Sequence, residues 1–167
     1  VPTDNTDVIA ILNDLIATCI DGVQGFRDAA NAMTGPGIQT LFSTRARSIE
    51  LAKSELQELV RRLGGEPSDS GHAAASVHRG WINLKSVLTG KDDDAIIAEA
   101  ERGEETAVNH YRDALRQALP ADVRSIVEDQ ARGAQQNLDV VRALGRSESA
   151  ARRFAREEDR TEPPNPR

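Results

Sequence analysis

The chain has 167 residues, 38% of them hydrophobic and 29% charged, with a formal net charge of −6. That length suits one domain with a sizeable core. Charges of both signs are interleaved, which gives little drive toward nucleic acid or anionic lipid, so neither is expected as a partner. Within these residues Cys19 is the single cysteine, so no intrachain disulfide and no Cys-based zinc motif is expected.

Aromatic residues are only 3%. The core is therefore expected to be Leu, Ile, Val and Ala, whose modest volumes suit close helix contacts. No run of about 18 apolar residues stands out as a membrane span. The N-terminal residues lack a basic segment followed by an apolar one, so no leader is expected and a cytoplasmic location is.

Thr6 reads as an N-cap, with Asp7 in the first turn. Val8, Leu12, Leu15, Cys19, Val23, Phe26, Ala30 and Met33 then recur at helical spacing, predicting a helix over about 7–33. Thr34-Gly35-Pro36-Gly37 stops it. A second helix follows from Ile38 to Leu63, ended by Gly64-Gly65, and the two form a hairpin. Residues 64–71 read as a polar linker. Val77, Trp81, Leu84 and Leu88 predict a shorter amphipathic helix stopped by Thr89-Gly90. A third long helix is expected over about 92–118 and a fourth from Pro120 to a stop at Gly145.

The segment between the two hairpins is long enough to cross the length of a bundle. The expected fold is thus all-α, a ferritin-like four-helix bundle with one long crossover carrying a short extra helix. The bundle is expected over 1–145 and a charged, Pro-rich tail over 146–167, where residues 147–158 extend as a solvated helix.

A bundle does its chemistry with polar side chains that point inward. On a helical wheel Glu104 falls at the centre of the apolar arc of the third helix, between Ala100, Ala107, Val108 and Tyr111. A carboxylate there is costly unless paired or metal-bound. Arg45 faces inward from the second helix and Gln130 from the fourth, so a buried Arg45–Glu104 pair is expected, with Tyr111 or Gln130 as hydrogen-bond partners.

The competing reading is a di-iron or manganese carboxylate site using Glu104, Glu101, Gln130 and Glu55. Such a site wants a Glu-x-x-His from each of two helices, and this chain has none. His72 opens the short helix region, His78 lies on it, and His110 lies off the core face. Glu99, Glu101 and Glu105 read as a solvated face. Cys19 reads as a small buried hydrophobe and Trp81 as a packing anchor. Gly22 and Gly25 fall on the packed side and admit a close helix approach. Ile9, Ile16 and Val23 form an apolar strip that suits either a homodimer or cover by the crossover.

Arg79 to Asp92, reading RGWINLKSVLTGKD, resembles the middle motif of DUF2383, a bacterial domain family of unknown function. Leu12-Asn13-Asp14-Leu15-Ile16, Asp21 to Phe26, Glu101 to Glu105, Tyr111 to Leu115, Leu119-Pro120 and Gln130 resemble it too, over about residues 7–144. The resemblance implies a ferritin-like four-helix fold and no particular activity. It also implies that some members carry a His directly before the Asp of the last helix; here Leu138 precedes Asp139, which weakens the metal reading. The expectation is therefore a non-catalytic structural, interaction or stress-associated protein without a cofactor, with a homodimer or another protein as partner. The alternative is an oxidase or storage protein holding iron or manganese.

Overall fold

The computed structural model describes residues 4–71, 81, 84–90 and 92–161. The described residues form five helices and no strand: α1 (Asn5–Ala32), α2 (Pro36–Arg62), α3 (Leu84–Gly90), α4 (Asp93–Leu115) and α5 (Ala121–Thr161). The chain is therefore all-α. His72, His78, Val77 and Arg79, on which parts of the sequence reading rest, lie outside the described residues, as do the last prolines.

The helix ends follow from local chemistry. Asp4, not Thr6, caps α1: its carboxylate accepts from the Thr6 amide at 3.2 Å. A carboxylate beside the positive end of the helix dipole outdoes a hydroxyl. Pro36 opens α2, where its missing N–H costs nothing. Gly64 closes α2 with φ +84°, the left-handed conformation that favours glycine. The Gly65 amide then bonds the Val60 carbonyl and the Gly64 amide the Arg61 carbonyl, each at 3.0 Å.

α4 begins after Asp92, whose carboxylate accepts from the Asp94 amide at 3.1 Å. It stops at Leu115, three residues short of the expected end. Arg116 and Gln117 tighten to bonds three residues back, and Arg124 donates to the exposed carbonyls of Leu115 and Gln117 at 3.0 and 2.8 Å. The stop expected at Gly145 is not taken, and no backbone break marks residue 145. One glycine inside a helix costs only about 1 kcal/mol. Here α5 runs over Ile97 of α4 at a distance where an added Cβ would make ordinary van der Waals contact. Arg152 further on meets Asp94 at 2.9 Å and Asp92 at 3.8 Å.

α1 and α2 pack as one hairpin, α4 and α5 as another, and α1 lies against α4. Cross-helix contacts give the directions. Thr34, just past α1, donates to Asp93 at the start of α4, while Thr18 bonds His110 further along. α1 and α4 are therefore antiparallel, and α2 runs parallel to α4. Only a connection that travels the length of the bundle permits that. Its described residues lie along α1: Gly65 lies beside Ile9, Ser68 donates to Asn13, Gly71 abuts Asp21, and Trp81 rests on Gly25. α3 completes the path against α1 and α4.

The core is mainly aliphatic: Leu12, Leu15 and Ile16 of α1, Leu56 and Leu59 of α2, and Ile96 and Ile97 of α4 are sealed. Phe26 and Phe42 meet edge to face, centroids 5.4 Å apart. Ile16 is fully buried and Val23 nearly so, while Ile9 is covered in part by the linker. The strip on α1 is thus covered largely within the chain, with Ile9 half-buried. By length and composition alone α1 is apolar enough to cross a membrane, with mean hydropathy 1.4 over its best 18 residues. In this fold that apolarity faces α2, α4 and the crossover.

Candidate functional site

The polar centre of the molecule is built around Glu104, whose side chain is 1% exposed. Arg45 Nε donates to its Oε1 at 2.6 Å and Arg45 Nη2 to its Oε2 at 3.1 Å. This is the two-pronged geometry in which guanidinium and carboxylate match best. Asn137 Nδ2 donates a third bond to Oε1 at 2.8 Å. Asn137 lies on α5 seven residues after Gln130, so its inward placement was legible on the wheel, yet sequence reasoning missed it.

Tyr111 and Gln130 do not join this pair. They belong to a separate chain of bonds that leads from the core to the rim. Cys19 Sγ lies 3.6 Å from the Tyr111 hydroxyl, which donates to Gln130 Oε1 at 2.9 Å. Gln130 Nε2 then donates to the Ala52 carbonyl at 3.1 Å and to Glu55 at 2.8 Å. Burial pushes the Cys19 thiol from its ordinary 9.0 up to about 11, partly offset by the Tyr111 bond and the nearby Arg45 charge. Burial raises the Tyr111 hydroxyl well above its usual range, and the neighbouring Cys19 adds to that.

The proposed metal ligands are dispersed. Glu101 is held by Arg142 Nε at 3.1 Å on the α4–α5 face, where Arg142 also grips Glu105. Glu55 and Gln130 are bonded to each other, and Glu104 to Arg45. Among the described residues no three His, Cys, Asp or Glu side chains form a group able to hold a metal ion. Leu138, at the position where the family resemblance implies a His in some members, is a core residue.

Two further placements, Glu99 and Gly25, differ from the sequence reading, while His110 lies off the core as expected. Glu99 is not on a solvated face: it is 1% exposed and bonded to Arg102 at 2.9 Å. Its place beside Ile96 and Ala100 on the α4 surface turned toward other elements was masked by the neighbouring acids. His110 is half-buried, its Nδ1 2.6 Å from Thr18 Oγ1 at the α1–α4 seam. Gly25 admits an indole and not a helix. A Cβ there, or at Gly103 on α4, would overlap the Trp81 ring, which lies between the two glycines and packs edge to face on Phe26 at 5.0 Å.

α2 and α5 scarcely touch. Between them opens a cavity of about 530 Å³ that reaches inward to Cys19, Phe26 and Trp81. Small residues leave that room: Gly22, Ala52, Ala107 and Gly133 all line it.

Compared with known families, residues 7–117 match the model of DUF2383, described as a domain of unknown function. The match ends just past α4, so the likenesses at Leu119-Pro120 and Gln130 fall outside it. No curated protein matches the chain.

Proposed function

The chain belongs to the DUF2383 family, and from that premise we propose that it is a bacterial, cytoplasmic, ferritin-like four-helix bundle of non-catalytic, structural or interaction type. One observation carries the reading. At the centre of the bundle, Glu104 is already satisfied by Arg45 and Asn137. A guanidinium bound to the Glu104 carboxylate opposes a divalent cation at the same place, since like charges at short range repel strongly in a poorly solvated core. The long crossover and the parallel α2 and α4 support the ferritin-like part, because that connectivity distinguishes such bundles from a simple meander. Fold likeness alone speaks weakly for activity.

The test is metal content. Protein purified without chelator and exposed anaerobically to ferrous iron or manganese is desalted and measured for bound metal. The expected result is no stoichiometric metal. One or two tightly held ions per chain, lost in Glu104→Ala, would overturn the reading in favour of a metal-dependent oxidase or storage protein.

A further inference from the structure

The cavity between α2 and α5 is not used by the structural reading above. We infer that it is a binding site for a non-anionic, ring-bearing small molecule that enters between the two helices. Its volume, about 530 Å³, is that of pockets that enclose small organic ligands. Its inner wall is apolar and aromatic, with Phe26, Ile49 and the Trp81 ring. Its lining also carries hydrogen-bonding groups, the Ser48 and Thr106 hydroxyls among them. An apolar and aromatic wall with a few polar groups is how small-molecule sites fix orientation.

Charge narrows the ligand class. Asp21, Glu55, Glu104 and Asp129 line the cavity, and Arg45 is the one Lys or Arg among its described lining residues. Arg45 is already engaged on both oxygens of Glu104. An anion would meet carboxylates with no uncommitted guanidinium to receive it, and would have to shed its hydration without recompense. The site therefore disfavours an anion.

The opening is held by absent side chains. A Cβ on Gly133 of α5 would meet nothing within 4 Å. Glycine is a poor choice for a helix interior unless its emptiness is useful, and here the emptiness is the slot itself.

Trp81, the only tryptophan in the chain, lines the cavity and reports on it. The experiment titrates the full chain with N-phenyl-1-naphthylamine, following quenching of Trp81 and the rise in probe emission. Its sulfonated counterpart, 8-anilino-1-naphthalenesulfonate, adds one negative charge to the same ring system. Saturable binding of one neutral probe per chain is expected, with the sulfonate weaker by on the order of tenfold or more. Gly133→Leu fills the slot and is expected to lose probe binding with no fall in melting temperature. Ser48→Phe narrows the slot from the opposite helix and serves equally if Gly133→Leu fails to fold. Non-saturable or absent binding overturns the site. Unchanged binding in the variants overturns its location, and equal or tighter sulfonate binding overturns the ligand class. None of these outcomes depends on metal content, so this inference and the structural reading fail separately.

Discussion

Arg45 reaches across the core to hold both carboxylate oxygens of Glu104, from a helix that runs parallel to the one carrying Glu104. The arginine side chain is 13% exposed and the glutamate 1%, so the pair is largely removed from solvent. Such a pair contributes little net stability against an apolar replacement, but breaking it on one side is costly.

Glu104→Ala is expected to destabilise the fold by about 3–5 kcal/mol, because Arg45 and Asn137 lose their acceptor. The double change Arg45→Met with Glu104→Leu is expected to cost much less. Urea unfolding of both variants checks this. If Glu104→Ala unfolds at the wild-type midpoint, the pair has no structural weight.

The glycines of the bundle should respond in opposite directions. Gly103→Ala forces its Cβ against the Trp81 indole, and overpacking of that kind costs about 1–3 kcal/mol. Gly133→Ala meets open space, and there the usual helix preference should stabilise by about 0.5–1 kcal/mol. Thermal melts give the signs. Trp81 emission should shift to the red only in Gly103→Ala, since only there is the indole displaced.

Alkaline pH should weaken the fold through Cys19. Its thiol titrates at about 11 in the folded chain against 9.0 ordinarily, so the folded state holds its proton longer than the unfolded state does. The associated stability is complete below pH 9 and is lost as pH rises from 9 through 11. Its full size is on the order of 2–3 kcal/mol. Tyr111, raised for the same reason, adds loss at still higher pH. Cys19→Ala should flatten the decline between pH 9 and 11 in denaturant midpoints measured across that range. A native thiol that reacts promptly with a disulfide reagent at pH 8 would contradict this burial.

Shortening α5 should reveal how little its end contributes. Arg152 pairs with Asp92 and Asp94 at the start of α4, but it is 47% exposed and screened by water. Ending the chain after Arg153 should leave the melting temperature nearly unchanged. Ending it after Gly145 should lose no more than about 1 kcal/mol. A larger loss in the first truncation would mean that the exposed Phe154 has a packing role.

The sequence by itself determined the helical class, because apolar residues at i, i+4 and i+7 leave no other way to form one buried face. It also determined the first hairpin, through Pro36 and Gly64, whose backbone limits are local. It placed Arg45 and Glu104 inward, since a helical wheel needs nothing beyond the residues of one helix. Tertiary structure alone decided the rest. Asn137 became the third partner of Glu104 because of where α5 lies against α4. Tyr111 turned to Gln130 and away from the ion pair, a choice between two inward neighbours that no single wheel resolves. Glu99 was buried by packing that its acidic neighbours concealed. Gly25 and Gly103 came to enclose one indole, although 78 residues apart in sequence. Periodicity reports which face of a helix is buried; which atoms meet on that face is set by the register and spacing of helices far apart in the chain.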